Sequence, residues 1–410
     1  MALNEARGPG WRVFHNLDFT RFAIARFCSG VGLQMIVVGV GWYVYDITDS
    51  ALALGLVGLA IFLPTFSLAL VTGHIADSFD RAKIVGVCFG LVAVVAAGLT
   101  VLTTYRYTNV SLIYALLVLM GIARAFANPA SQALVPTLVP KAQFSSAVAF
   151  NSSLWQISVV AGPSAGGLLY AFGPEVVFGA SFLSMAMASV LALSISKPRE
   201  IIKREPVSWE SLVAGIVYIR ANPAILGAIS LDLFAVLLGG AASLMPIYAR
   251  DVLHTGPWGL GLLRSGPAIG AFLVGMTLGQ FPIRRHAGYF LFAGVTMFGL
   301  MTIGFGLSTS LPLSMICLVV MGGSDMLSVF VRQTLVQLET PDVMRGRVAA
   351  VNTVFIGASN ELGDFESGVV AAMIGAVPAV VVGGLGTLLI AAVWAWRFPT
   401  LRNRDKLSGS

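Results

Sequence analysis

The sequence predicts an all-α integral membrane protein whose twelve transmembrane helices form two six-helix bundles. Three observations carry the prediction: composition, the lengths of the apolar runs, and an internal repeat. Of 410 residues, 57% are hydrophobic and only 11% are charged, with a mean hydropathy of +0.87. A soluble domain carries about 25% charged residues, and one with so few would expose large apolar patches. A chain surrounded by lipid must instead be apolar outside. The 45 glycines fit the same picture, because small residues let helix backbones approach closely in lipid.

About 20 apolar residues are needed to cross the hydrocarbon. Runs of that kind fall at 19–45, 52–73, 84–104, 110–130, 144–172 and 175–195, then at 223–249, 258–280, 287–307, 311–336, 345–373 and 375–396. The junctions "FGPEV" and "IGAVP" are short, and each holds the Gly and Pro that end a helix. The resulting organisation is an N-terminal bundle over 1–196, a cytoplasmic linker over 197–222 and a C-terminal bundle over 223–410. The linker is basic, with Lys197, Arg199, Lys203, Arg204 and Arg220, and its second part suits a short helix lying in the membrane interface. With the N-terminus cytoplasmic, nearly all Lys and Arg outside the spans fall on the inner side, and only Arg106 and Arg250 fall outside. The positive-inside rule then places both termini in the cytoplasm.

The repeat appears at a shift of 201 residues. Pro140 falls on Pro341, Asn151 on Asn352 and Gly162 on Gly363, while "SQALV" (131–135) falls on "RQTLV" (332–336). A parallel six-span repeat describes the two halves of one class of transporter, related by an axis along the membrane normal.

Other classes fit poorly. The net charge is +6, but the basic residues lie in loop clusters, so no nucleic-acid partner is expected. Cys28, Cys88 and Cys317 sit in apolar runs without metal-ligand spacing. No nucleophile–base constellation and no nucleotide loop is visible, so neither an enzyme nor a cofactor or metal is expected. The N-terminus shows no cleavable signal pattern.

Four segments resemble the major facilitator superfamily, in particular its bacterial drug and siderophore exporters, the transmembrane secretion effectors. "GHIADSFDRAK" (73–83) resembles the loop signature after the second span; Gly73, Asp77, Arg81 and Lys83 match, and Asp80 stands where glycine is usual. "AGPSAGG" (161–167) resembles the fifth-span motif of antiporters, with Gly162, Pro163, Gly166 and Gly167. "WYVYDITDSALALGLVG" (42–58) and "RAFANPASQALVPTLVP" (124–140) resemble the exporter branch itself. The resemblance implies the major facilitator fold, no cofactor, and a monomer in the bacterial inner membrane. It also implies proton-driven export of a small molecule, such as a drug-like compound, siderophore or metabolite, by alternating access. Import or cation transport on the same fold is the alternative. In the family the acid at Asp77 closes the inner side, and Arg81 and Lys83 pair with it or with anionic lipid.

The candidate site residues are polar groups inside spans, which are costly there and mark pathways or pairs. Asp325 lies mid-span, opposite Arg124 in the repeat, and Arg332 follows it by seven residues on the same helix face. Asp232 is another intramembrane acid. A carboxyl that takes and releases a proton is the simplest coupling device, and a static ion pair is the alternative. In "NELGDFESG" (360–368), Glu361 and Asp364 share a face and either line the cavity or cap interhelical contacts, while Glu366 points elsewhere. Asp364 replaces Pro163 of the repeat. Asn151, Asn352 and Gln34 are polar cavity candidates. Trp42, Tyr43, Tyr45 and Trp258 fall near outer span boundaries, where aromatic residues anchor to the interface, and Asp18 and Arg21 form a local pair.

Overall fold

The computed structural model describes residues 10–68, 72, 79–196, 209–281, 283 and 285–405, and among them every long element is a helix. In chain order the helices are α1 (Leu17–Thr48), α2 (Ala51–Ser67), α3 (Arg81–Thr104), α4 (Val110–Leu138), α5 (Phe144–Tyr170), α6 (Pro174–Leu193), α7 (Trp209–Ala221), α8 (Pro223–Leu238), α9 (Gly256–Gln280), α10 (Ala287–Leu307), α11 (Leu311–Glu339), α12 (Asp342–Ile374) and α13 (Ala376–Arg397). Among the described residues nine helices, counting Pro223–Val252 as one, are long and apolar enough to cross a membrane, and α2 is a shorter apolar helix. Two long helices fall outside that nine for opposite reasons. Ser, Asn and Gly dilute α5, whereas α12 carries Glu361, Asp364 and Glu366. Val87, Val94 and Val101 of α3 recur every seven residues and are exposed, as a lipid-facing stripe requires.

Local signals set the helix boundaries. Asp80 caps α3, its carboxylate accepting from the Ala82 and Lys83 amides at 3.0 and 3.4 Å. The departure from glycine at this position thus supplies an N-cap. Asn109, Asn222 and Ser310 cap α4, α8 and α11 in the same way. The two short junctions turn on glycines in the left-handed region, Gly173 at φ 125° and Gly375 at φ 91°, where residues with a side chain are strained.

The seventh span differs from the unbroken run 223–249 expected above. Helix α8 stops at Leu238, and the chain resumes as a 3-10 turn at Ala242–Leu244, a turn at Met245–Ile247 and a π turn at Tyr248–Val252. Gly239 and Gly240 stand at the break, where a Cβ would crowd Phe298 and the Gly363 backbone. Asp364 supports it by accepting the Ser243 amide at 3.1 Å, a donor that the break leaves open.

The chain divides into two compact units, residues 1–40 with 63–206 and residues 41–62 with 207–410. In the first unit, α1 packs on α5 through small residues. The Ser158 hydroxyl donates to Phe27 O at 3.1 Å, and a Cβ on Gly162 would lie 2.6 Å from the Gln34 Cβ. Buried Phe19, Phe22, Leu134, Val135 and Leu138 fill the base, with Phe14 edge-on to Phe150 at 4.9 Å. The Ser189 hydroxyl ties α6 to α3 at Gly86 O, 2.7 Å away.

In the second unit, α12 packs on α8 at the same kind of contact. A Cβ on Gly363 would lie 3.0 Å from the Val236 and Leu237 carbonyls, and the Ser367 hydroxyl donates to Gly240 O at 2.5 Å. Gly55 of α2 and Gly368 of α12 also meet backbone to backbone. Helix α7 supplies the short helix expected in the linker and seats Gly215 against Arg347 O; residues 197–208 lie outside the described residues. Beyond α13, Asp405 accepts the His286 amide at 3.0 Å and pairs with Arg285 at 3.2 Å.

Candidate functional site

Most of the candidate charges lie in the second unit, in two groups. The first joins α8, α10 and α11. Arg332 and Asp232 pair at 2.5 Å with side chains 2% and 8% exposed. A guanidinium and a carboxylate taken out of water persist together only as a close pair. The Arg332 Nε has no hydrogen-bond partner. Asp325 and Ser328 share the Arg332 face of α11. With Asp232, Val236, Val295 and Phe298 they line a small cavity with about 10 Å³ open to the centre of a water molecule, enough for roughly one water. Asp325 accepts no hydrogen bond among the described residues. An acid without a donor therefore faces a small, largely apolar pocket beside a buried ion pair.

The second group joins α9, α12 and the break after α8. The Arg264 Nη2 donates to Ala242 O at 3.2 Å, a carbonyl of the 3-10 turn that also accepts the Met245 amide, while its Nε is buried without a partner. Asp364 accepts the Ser243 amide on the other side of that turn. Glu361, three residues earlier on α12, brings its Oε2 to 3.7 Å from the place a Gly58 Cβ would occupy, and Asp364 Cβ lies 3.4 Å from the same point. Among the described residues, no ion pair within 4.0 Å joins Arg264 to Asp364. These two opposite charges flank one turn without closing on each other. Glu366 is half-buried.

The remaining candidates are spread through the structure. Arg124 is half-buried in α4 and makes no hydrogen bond or ion pair among the described residues. The Asn151 Oδ1 in α5 and the Asn352 Oδ1 in α12 are both buried without a hydrogen-bond partner, at equivalent places in the two units. Gln34 faces Gly162, and Pro163, Gly166 and Gly167 are buried within α5. Arg81 donates to Ala133 O at 3.0 Å and Lys83 is exposed; Asp77 lies outside the described residues. Asp18 and Arg21 form the expected local pair at 3.4 Å.

Two features are not legible in the sequence. Arg264 is not among the candidates read from it, because its surroundings come from a helix break and from α12, distant in sequence. Trp42, Tyr43 and Tyr45 are not belt anchors. They are buried at 9%, 7% and 7% exposure, and the Tyr45 hydroxyl donates to Asp251. Only packing distinguishes an aromatic facing lipid from one facing a helix.

Comparison with known proteins identifies the family and the fold. A family model described as transmembrane secretion effector matches residues 9–409. Macrolide efflux protein A of Streptococcus pyogenes is 25% identical over 383 residues, covering 89% of this chain and 91% of that protein. The enterobactin exporter EntS of Shigella dysenteriae serotype 1 is 26% identical over 375 residues, covering 90% and 86%. Among solved structures, a single-residue mutant of the nucleoside transporter NupG superposes with a TM-score of 0.76 at 13% identity over 93% of this chain and all of that one. A bacterial homologue of the lysosomal transporter Spinster, inward-facing and occupied, gives 0.73 at 14% identity over 97% and 99%. These structures share the fold. The apolar helices and the bacterial relatives make this a multi-pass protein of a bacterial inner membrane. The chain belongs to the transmembrane secretion effector family of the major facilitator superfamily, and it is a secondary-active small-molecule transporter rather than an enzyme.

Proposed function

We propose that this transporter exports a small molecule in exchange for protons by alternating access, and that the fold holds twelve spans as six and six with both termini cytoplasmic. The nine apolar helices together with α2, α5 and α12 make up that number. The observation that carries the mechanism is Asp325, an acid without a hydrogen-bond donor facing a pocket beside the Asp232–Arg332 pair. A proton on Asp325 neutralises it, and losing that proton leaves a charge that the fixed pair biases. Arg264, Glu361 and Asp364 present charges of both signs to the substrate. Asp77, Arg81 and Lys83 gate the inner side. The names of the relatives favour a bulky drug-like or siderophore-like substrate.

The test is flux in liposomes of defined sidedness. A macrolide and enterobactin serve as probes under an imposed pH gradient. Export should follow the gradient, and Asp325→Asn and Glu361→Gln should abolish its proton dependence. Full proton-driven flux in both variants would make these acids structural and the mechanism wrong. Flux in the opposite direction would favour import.

A further inference from the structure

The boundary between the two compact units falls inside α1, between Val40 and Gly41, and inside α2, between Phe62 and Leu63. Residues 41–62 are therefore continuous in sequence with the first unit but packed into the second. Two of the contacts made there stand out. One is the dry meeting of Gly55 with Gly368. The other is a charge cluster at the end of α1, centred on Arg250 in the π turn.

Arg250 reaches three carboxylates and a carbonyl. Its Nη2 lies 2.6 Å from Asp49, its Nη1 3.9 Å from Asp46 and its Nε 3.6 Å from Asp251. Its Nη1 also donates to Tyr45 O at 3.3 Å, and the guanidinium stands 5.0 Å from the Tyr45 ring centre. The Tyr45 hydroxyl donates to Asp251. The backbone is shaped for the arrangement. Asp49 sits at φ 48°, the left-handed region that Asp tolerates, and the π turn presents two consecutive residues, Arg250 and Asp251, to the same helix end. Tyr248 anchors that turn by stacking on Phe305 at 4.5 Å and donating to Gly306 O at 2.9 Å. One cation thus gathers three acids. The side chains of Asp46, Asp49 and Asp251 are 56%, 71% and 45% exposed, so dissolved salt screens the cluster.

We propose that the Arg250 cluster is an ionic latch that holds residues 41–62 against the later helices, and that it releases each time the transporter reaches its other state. Because Arg250 offsets three carboxylates, its loss does more than remove a pair: it leaves like charges facing each other. Neutralising the acids together with Arg250 should therefore restore closure through the uncharged contacts, the glycine meeting among them.

This inference rests on the alternating-access reading, and one experiment separates the two. Spin labels on Leu52→Cys and Trp258→Cys, both exposed in the native chain, report the distance across the latch in nanodiscs, with Cys28, Cys88 and Cys317 replaced by alanine. At low ionic strength one distance should dominate. Raising salt to about 1 M, where the screening length falls to about 3 Å, should increase the longer-distance population about fivefold, in line with a small charge network. Arg250→Gln should do the same at low salt and lose the salt response. Asp46→Asn with Asp49→Asn in that background should return the ratio towards the native one. Two populations whose ratio ignores both salt and Arg250→Gln overturn the latch and leave alternating access standing. A single distance under every condition overturns both.

Discussion

Helices α5 and α12 occupy equivalent places in the repeat, and they solve the same packing problem with opposite chemistry. In α5 the glycine at 162 meets the α1 side chain of Gln34, and the next residue is Pro163, in a stretch with no charge. In α12 the glycine at 363 meets the α8 carbonyls of Val236 and Leu237, and the next residue is Asp364, whose carboxylate caps a turn that α8 has broken to provide. The glycine is held by geometry in both units, because a Cβ would crowd Gln34 at one site and the α8 carbonyls at the other. Its neighbour is free to change. The first unit uses that freedom for a dry bend, and the second uses it to bring acids beside Arg264. The buried Asp232–Arg332 pair, Asp325 and its pocket fall in the second unit as well. The comparison teaches that what recurs between the halves is the close approach a glycine allows and not the charges placed beside it.

The sharpest way to break this contrast is to remove the buried charge on one side. Arg332→Ala leaves Asp232 buried without its partner and should cost about 3–5 kcal/mol, read as a large loss of thermal stability in detergent. Arg332→Gln with Asp232→Asn should recover most of it, since a neutral pair needs no counter-charge. No single substitution in α5 should match the Arg332→Ala loss. The glycine comparison is next in size. Gly162→Ala and Gly363→Ala should each cost about 1–3 kcal/mol through overpacking. Similar losses would confirm that geometry governs both sites, whereas a neutral Gly363→Ala would show that the charged side is loosely packed.

The smallest effect is at the chain end. The His286 amide, together with Arg285, holds the Asp405 carboxyl below its ordinary value of 3.8. A depressed value in the folded state means that the contribution is present above the ordinary value and is lost as pH falls through the depressed one. Asp405→Asn should therefore weaken hydrogen-exchange protection at the start of α10 at neutral pH and have no effect in strong acid.

Much of the scaffold was legible in sequence because hydropathy, glycine and proline act locally. Asn222, Ser310, Gly173 and Gly375 mark helix ends by their own conformational and hydrogen-bonding preferences. The intramembrane acids were also visible, since a charge in an apolar run stands out. Their partners were not. Asp232 meets Arg332 across 100 residues of chain, Arg264 meets a carbonyl of the turn that follows α8, and Tyr45 donates to Asp251, 206 residues away.

By itself, then, the sequence determined that this chain is a helical membrane transporter with a repeated plan, where most of its helices begin and end, and which buried residues carry charge. These follow from transfer free energy and local backbone preference, which each segment expresses alone. Tertiary structure decided that Asp325 faces a pocket beside a closed ion pair, that Asp364 caps a broken helix, and that residues 41–62 pack with the second unit. Those are consequences of which helix faces meet, and a helix face acquires its chemistry only from the neighbour packed against it.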